Sequence, residues 1–306
     1  MKDNSIDSQN EINTTTFDKK LIGLTTGFRS IPYTWRDSAL YALAVGAGPK
    51  DLQYTYEKEM KAIPTFGVVP YWASLGVLPR IPRPLPAPVI AAEQVIHPTV
   101  APLHMEHALV MHRPIDPMGG TLVYQDVITD VYDRGKGKGA VIRSKEDIYD
   151  EAGNLLCTNY SSTLFQEGGG FGGKPMPKSP IRIPEREADI IVNDHISPIQ
   201  NVLYRLTGDM NLVHMDPAYA KEKGFDRVFM QGLCSFGFAC RLAIDALIPG
   251  EPERMKKISA QMRSIAFPDT SIILKLWKEE DGRCLFRLLD AATDAPILDR
   301  GEFLWT

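Results

Sequence analysis

The pattern of apolar and polar positions along the chain predicts two sets of β-strands. Residues 121–133, 140–150 and 155–166 are rich in Val, Ile, Thr and Tyr, and glycine-containing turns separate them, as in consecutive hairpins. A later set has the same character and covers residues 258–267, 271–279, 283–290 and 298–305. We predict that each set forms an antiparallel sheet and that Asp281-Gly282 forms a hairpin turn in the later one.

A helical pattern precedes the later set of strands. Apolar residues from Leu233 to Leu247 recur at intervals of three and four, and Pro249-Gly250 follows them. This spacing predicts a helix that buries one apolar face and ends at the proline-glycine pair.

Short sequence echoes suggest that the chain contains two copies of one unit. Leu40-Tyr41-Ala42-Leu43 is echoed 163 positions later by Leu203-Tyr204-Arg205-Leu206, and Thr65-Phe66-Gly67 is echoed 170 positions later by Ser235-Phe236-Gly237. A loop insertion in one copy explains the difference between the two offsets. We therefore expect an α+β fold in which each antiparallel sheet wraps around one long helix.

The expected organisation has four parts. Residues 1–16 are polar and are predicted to be a disordered tail. Residues 17–166 form the first repeat and residues 187–306 the second. Residues 167–186 are too rich in glycine and proline for a regular element and are predicted to link the repeats.

Composition narrows the classes of protein that fit. The chain has 306 residues, 44% of them hydrophobic, and a formal net charge of −4, which indicates a globular protein without an electrostatic footprint for nucleic acid. Its four cysteines are dispersed and form no CxxC pair, which favours a reducing compartment over a disulfide or zinc framework. No apolar run reaches the length of a membrane span. We expect a cytoplasmic protein without membrane or nucleic-acid partners.

One short predicted loop carries residues suited to proton transfer. Asp209, Asn211 and His214 all fall on it, and a carboxylate and an imidazole can hold one water and exchange protons with it near neutral pH. Gly232 opens the predicted long helix, where its N–H can stabilise a developing oxyanion. Each residue also has a structural explanation: a histidine can be a satisfied core residue, and a glycine can permit a sharp turn. Their proximity favours a catalytic site.

Two other polar features have simpler interpretations. Asp216 before Pro217 is expected to cap a helix. His104, His107 and His112 lie in a predicted strand, where positions 104 and 107 should fall on opposite faces. No carboxylate or cysteine completes a ligand set there. We expect neither a metal nor another cofactor.

Residues 135–139 read Gly-Lys-Gly-Lys-Gly and are predicted to be a hairpin turn between two strands. They lack the Lys-Ser/Thr that opens a helix in phosphate-binding loops. Arg134, Lys136 and Lys138 are nevertheless placed to meet a ligand phosphate.

At these residues the chain resembles the MaoC-like, type-2 enoyl-CoA hydratases, a double hot-dog family that also includes the hydratase part of peroxisomal multifunctional enzymes. The resemblance covers nearly the whole chain after about residue 17. Its segments are Leu40-Tyr41-Ala42-Leu43, Pro64-Thr65-Phe66-Gly67-Val68, Gly169-Gly170-Phe171-Gly172-Gly173, Tyr204-Arg205-Leu206-Thr207-Gly208-Asp209 and Gly232-Leu233-Cys234-Ser235-Phe236-Gly237.

The resemblance implies a hydro-lyase that reversibly hydrates trans-2-enoyl-CoA to (3R)-3-hydroxyacyl-CoA in fatty-acid or related β-oxidation. Asp209 and His214 would be the catalytic pair around one water, Asn211 would support that water or the substrate, and the Gly232 amide would form the oxyanion hole. The implied contacts to CoA or the acyl group are His104, Met105, Arg134, Lys136, Leu212, Val213 and Met262.

The resemblance also implies a homodimer with one active site per chain. The stretch after Leu43 reads Ala44-Val45-Gly46-Ala47-Gly48 and has no Asp or His. The degenerate first repeat would therefore give its space to a long acyl chain.

Departures from the family pattern are concentrated near the expected site. The family's Asn-Pro-Leu-His is Asn211-Leu212-Val213-His214 in this chain, and its Pro-Ile-Leu-His-Gly is Val228-Phe229-Met230-Gln231-Gly232. Its His-Gly is His104-Met105, and its Arg-Phe is Gln261-Met262. We hypothesise an unusual, bulky or branched acyl group such as a sterol side chain. Two alternatives stay open: a non-catalytic acyl-CoA binder and a hot-dog thioesterase.

Overall fold

The computed structural model describes residues 20–25, 27–70, 92, 96 and 102–306. The predicted tail at residues 1–16 lies outside this part of the chain. In the first half the elements are β1 (Arg29–Thr34), α1 (Trp35–Ala44), α2 (Leu52–Thr55), a 3-10 helix (Pro64–Val68), β2 (Leu103–Met111), β3 (Gly119–Asp133), β4 (Ala140–Tyr149) and β5 (Leu155–Phe165).

The second half has a similar sequence of elements. They are β6 (Ile190–Ile196), α3 (Gln200–Arg205), a 3-10 helix (Leu212–His214), α4 (Pro217–Glu222), α5 (Gly232–Leu247), a 3-10 helix (Pro252–Arg254), β7 (Met255–Met262), β8 (Thr270–Glu280), β9 (Arg283–Asp290) and β10 (Pro296–Trp305).

All ten strands join one antiparallel sheet in the order β1-β3-β4-β5-β2-β7-β10-β9-β8-β6. The first five strands of this order belong to the first half, and the last five repeat the same arrangement in reverse. Strands β2 and β7 pair at the centre, for example through Ala108 and Ser259. The predicted α+β double hot-dog fold is confirmed, while the limits assigned to the two repeats stay a prediction.

Most predicted strands agree closely with those observed, and β7 is the exception. It was expected over residues 258–267 but spans Met255–Met262. Its buried positions alternate up to Ala260, and the chain then turns through exposed residues 263–265 toward Pro268, which cannot donate to a sheet. The Asp281-Gly282 turn is confirmed, with Gly282 at φ +77.

Helix α5 is the long helix predicted for the second half, and it is more deeply buried than expected. Every residue from Leu233 to Ile244 is buried, so the prediction of one apolar face was wrong in extent. The sheet covers one side, while the first half covers the other through the 3-10 helix Pro64–Val68 and α1. In the first half, the described residues at the position that corresponds to α5 form only the 3-10 helix Pro64–Val68. The residues that follow, 71–91, lie outside the described part of the chain.

The glycine-rich segment after β5 packs against the β3–β4 hairpin. The Asp133 carboxylate accepts hydrogen bonds from the backbone N–H groups of Gly135, Gly170 and Gly172 at 2.6–2.7 Å. Residues 135–139 form the predicted turn. Residues 166–189, all of them described, form no helix or strand. The linker limits of 167 and 186 stay a prediction.

Within the described part of the chain, no helix combines the length and the apolar character needed to cross a bilayer.

Candidate active site

The loop between α3 and α4 holds the predicted acid and imidazole below the surface. Asp209 is 2% exposed and His214 is 8% exposed. Asp209 Oδ1 accepts a hydrogen bond from the Asn211 N–H at 3.2 Å, and the Asn211 side chain accepts one from the Val213 N–H at 3.3 Å. These local bonds fix the turn that begins the 3-10 helix Leu212–His214.

The ends of this loop are held by the neighbouring helices. Arg205, the last residue of α3, donates from its guanidinium to the Met210 carbonyl at 2.9 Å. At the other end, Asp216 accepts from the Ala218 and Tyr219 N–H groups at 2.8 and 3.2 Å. The predicted N-cap with proline at the first helical position is therefore confirmed.

The hydrogen bond made by His214 fixes the tautomer of its neutral ring. Nδ1 lies 2.9 Å from the Phe229 carbonyl oxygen, which can only accept, so Nδ1 carries the proton and donates it. In the neutral ring Nε2 is then an acceptor. The edge-on packing of His214 against the Phe229 ring, with centroids 4.8 Å apart, holds the imidazole in that orientation.

Burial moves the proton affinities of the two candidate groups toward each other. It raises the pKa of Asp209, an effect partly offset by His214. It lowers the pKa of His214, an effect partly offset by Asp209. Because a carboxyl normally titrates well below an imidazole, opposite shifts narrow the gap, so moving a proton between the two groups costs less.

Gly232 places an accessible backbone donor at the start of α5. Its N–H has no hydrogen-bond acceptor among the described residues, and Gly232 is exposed whereas Gln231 and Leu233 on either side are buried. A Cβ atom built on Gly232 would meet only Met262, at 3.9 Å. The N-terminus of a sixteen-residue helix favours negative charge at that position.

Two buried amides support the site, and sequence reasoning gave neither of them a role. The Asn201 side-chain amide donates to the His214 backbone carbonyl at 2.7 Å. The Gln231 side-chain amide donates to the Asn201 backbone carbonyl at 3.1 Å. Asn201 is 5% exposed and Gln231 is fully buried. The available signal for Asn201 was the adjacent polar pair Gln200-Asn201 at the start of α3.

The prediction that His104 and His107 lie on opposite faces of a strand was wrong. A register shift between His104 and Glu106 interrupts the alternation of β2, which is the effect of a β-bulge. As a result His104 Nε2 and His107 Nδ1 lie 3.3 Å apart. Burial lowers the pKa of His104 to about 4 and that of His107 to about 3.

Several predicted substrate contacts gather at one end of the central strands. Glu106 of β2 pairs with Gln261 of β7, so Met105 and His104 come next to Met262, the residue that a Cβ atom on Gly232 would meet. Leu212 and Val213 precede His214 in its 3-10 helix, where Val213 is buried and Leu212 is partly exposed.

The basic hairpin lies at the same end of the sheet, but two strands farther along. Ala140, which begins β4, pairs with Phe165, and the adjacent Leu164 pairs with Leu103 at the start of β2. At about 4.8 Å per strand, the turn with Arg134 and Lys136 is displaced from His104 by roughly 10 Å. Both cations are exposed.

Two cavities of about 230 Å³ occur elsewhere in the described structure. One lies beside Glu106, Arg143 and Gln261, and the other beside Met111 and Met255. Neither is lined by Asp209, His214 or Gly232, so an acyl channel leading to the pair stays a prediction. Among the described residues no group of three or more His, Cys, Asp or Glu is placed to hold a metal ion.

The chain carries a buried acid–imidazole pair beside a helix N-terminus on a duplicated hot-dog sheet, and comparison with known proteins identifies its class. Residues 31–168 match the MFE-2 hydratase 2 N-terminal domain, and residues 181–293 match the MaoC like domain. A solved MaoC-like dehydratase from Phytophthora capsici superposes with a TM-score of 0.80 at 31% identity, covering 94% of this chain and 98% of that one.

Named relatives agree over most of the chain. Enoyl-CoA hydratase ChsH3 of Mycobacterium tuberculosis is 33% identical, with 90% of this chain and 92% of that protein covered. The peroxisomal multifunctional enzyme type 2 of Mus musculus is also 33% identical over 82% of this chain, which spans only 33% of the mouse protein. The chain belongs to the MaoC-like, hydratase 2 family.

Proposed function

We propose that this protein is a hydro-lyase that reversibly adds water to a trans-2-enoyl-CoA and forms a (3R)-3-hydroxyacyl-CoA in β-oxidation. The observation that carries the proposal is the hydrogen bond from His214 Nδ1 to the Phe229 carbonyl. It leaves Nε2 as an acceptor for water beside the buried carboxyl of Asp209. The names and the family of the relatives support the same activity.

The proposed reaction uses one water held between Asp209 and His214. As the water oxygen bonds to C3, the pair takes up one water proton, and a proton from the pair is delivered to C2. The pair ends with the same number of protons as it had at the start. The converging pKa shifts of the two groups favour this exchange.

The thioester oxygen gains negative charge while C2 awaits its proton. The Gly232 N–H is the proposed donor to this oxygen, because it is exposed and lacks another acceptor among the described residues. Asn211 shapes the turn between the pair through its bond to the Val213 N–H. His104, Met105 and Met262 are proposed to contact the pantetheine or the acyl group, and Arg134 and Lys136 the CoA phosphates.

The direct test is to mix the purified protein with crotonyl-CoA and with longer, branched and sterol-side-chain enoyl-CoAs. Loss of the conjugated enoyl absorbance, with a (3R) product on chiral chromatography, is the expected result. Asp209→Asn keeps the size of the side chain and should lower turnover by about 10²-fold or more. Binding without turnover would instead identify an acyl-CoA binder, and release of free CoA thiol would identify a thioesterase.

We also propose that the protein acts as a cytoplasmic homodimer, as hot-dog sheets often associate. Sedimentation at several concentrations tests the dimer, and localisation of the tagged protein in its own cell tests the compartment.

A further inference from the structure

The cavity beside Met111 is the counterpart, in the first half, of the candidate active site in the second. Gly232 lies against Met262, the last residue of β7. Ala62 precedes Gly232 by 170 positions, the offset that also relates Thr65-Phe66-Gly67 to its echo, and it lines this cavity together with Met111, the last residue of β2. Because β2 and β7 are antiparallel, the two places lie at opposite ends of the central strand pair.

The matching extends to other positions around the cavity. Met60 corresponds to Met230 at the same offset, and Lys61 corresponds to Gln231. Lys256 is the second residue of β7, as His104 is the second residue of β2. This pocket therefore lies at the position in the first half that corresponds to the candidate active site, and different side chains line it.

The described residues that line this pocket do not include a free acid–imidazole pair for proton transfer. Among them the one carboxylate, Glu253, forms a salt bridge with Lys61 at 3.1 Å. The one imidazole among them, His112, lies 3.1 Å from the Thr158 hydroxyl. The pocket is thus suited to binding rather than to hydration.

What the pocket offers instead is positive charge above an apolar wall. Arg113 and Lys256 are exposed at it, and neither side chain has a hydrogen bond or salt bridge to another described residue. The apolar lining comprises Met60, Ala62, Pro64, Met111, Ile115 and Met255. A ligand with an anionic head and a short apolar body can place its head at the two cations and its body against the apolar lining.

We propose that the pocket beside Met111 binds a small carboxylate with a short alkyl chain. Its volume of about 230 Å³ falls below the ~300–1,000 Å³ of sites for drug-sized ligands. A fatty acid of hexanoate length therefore fits its volume better than a long acyl chain does. The head group pairs with Arg113 and Lys256, and the chain lies against the three methionines.

Methionine methyl NMR of the full chain can locate the ligand, because the two sites contain different methionines. The methyl groups are labelled with ¹³C, assigned through Met→Leu variants, and titrated with hexanoate. Saturable shifts are expected at Met60, Met111 and Met255, with little change at Met230 and Met262. Hexanol, which lacks the charge, and acetate, which lacks the chain, should each bind more weakly.

The double variant Arg113→Ala/Lys256→Ala should weaken hexanoate binding by about fivefold, as expected for the loss of two exposed ion pairs. Lys50→Ala/Lys178→Ala, which removes two exposed charges elsewhere, should bind hexanoate like the wild type. The proposal is overturned if shifts are absent, occur only at Met230 and Met262, or are equally strong with hexanol. It is also overturned if both double variants behave alike. Enoyl-CoA hydration is measured separately and does not enter this result.

Discussion

The side-chain amide of Asn201 donates a hydrogen bond to the backbone carbonyl of His214 across 2.7 Å. The backbone carbonyl of Asn201 in turn accepts a hydrogen bond from the Gln231 side-chain amide at 3.1 Å. These bonds join three segments: α3, the loop with the candidate catalytic pair, and the residue that precedes α5. Because both amides are buried, water cannot readily replace the bonds, so they can hold His214 in position relative to Gly232.

We predict that Asn201→Ala lowers kcat about tenfold and leaves KM nearly unchanged. The variant leaves the buried His214 carbonyl without its donor, which costs about 1–3 kcal/mol and allows the imidazole to shift. A shift that raises the activation free energy by about 1.4 kcal/mol lowers the rate tenfold. Steady-state kinetics on the best enoyl-CoA substrate provide the measurement. Asn193→Ala is the control, because Asn193 is exposed on β6, the strand at the edge of the sheet. Equal kcat values for the two variants would show that Asn201 does not position His214.

A second prediction concerns the titration of His214 itself. Burial lowers the pKa of this imidazole, and the neighbouring Asp209 partly restores it. Removing the carboxylate charge in Asp209→Asn should therefore lower the pKa of His214 further. NMR titration of ¹⁵N-labelled histidine can follow the ring in both proteins. A pKa that rises, or does not move, in the variant would mean that the two side chains are not electrostatically coupled.

The sign of the pH effect on catalysis follows from the same shifts. Water activation needs a neutral His214 and an ionised Asp209, so activity should fall as pH decreases and either group gains a proton. The pKa of Asp209 is raised and that of His214 is lowered. Because Asp209 must be ionised, the acid limb of kcat/KM is expected at a higher pH than the ordinary pKa of a carboxyl. An acid limb at or below the ordinary carboxyl pKa would contradict this assignment.

The first half contains a buried carboxyl whose ionisation should affect stability. Burial raises the pKa of Glu146 to about 8, although Asn159 donates a hydrogen bond to it, and the charge of Asp126 raises the pKa further. A raised folded-state pKa gives stability that is fully present below the unfolded-state pKa, near 4.5. That stability is lost as pH rises toward about 8.

Glu146→Gln should therefore gain stability relative to the wild type as pH rises through this window. The expected change is about 1.4 kcal/mol per pH unit, measured by urea unfolding at pH 5 and pH 8. Glu185→Gln is the matched control, because Glu185 is exposed in the segment between the halves. If the difference between Glu146→Gln and the wild type is independent of pH, Glu146 does not titrate in this range.

Local sequence rules predicted most of the strands because their signals are local, although β1 and β6 were not predicted. Branched and aromatic residues at alternate positions, with Gly282 at a turn, specify a hairpin without reference to the rest of the chain. Asp216 and Pro217 similarly specify a helix start. The loop from Asp209 to His214 was found for the same reason, because its residues are close in sequence.

Relationships that depend on how elements pack and pair were not predictable in this way. Nothing near Asn201 shows that its amide reaches the His214 carbonyl, since that depends on how α3 packs beneath the loop. The bulge that brings His104 onto the side of His107 is a register shift against β5, and register is set by the pairing of whole strands. The burial of α5 on all sides likewise required knowledge of the other half.

The backbone at Gly232 permits a selective test of the proposed oxyanion donor. Gly232 is the first residue of α5, where proline is well tolerated because the N–H there makes no helical bond. The preceding Gln231 has φ −62 and ψ 135, the extended conformation that a following proline requires. A Cβ atom added at position 232 would meet only Met262, at 3.9 Å.

We therefore predict that Gly232→Pro removes the donor while the fold is retained. Loss of one oxyanion-hole donor typically costs about 3 kcal/mol, so kcat should fall about 10²-fold while the thermal midpoint changes little. Gly232→Ala keeps the N–H and adds the same Cβ, so it should retain kcat within severalfold of the wild type. Because the two substitutions share the Cβ and differ mainly in the N–H, equal losses in both would assign the effect to steric crowding. A fully active proline variant would mean that another group stabilises the thioester oxygen.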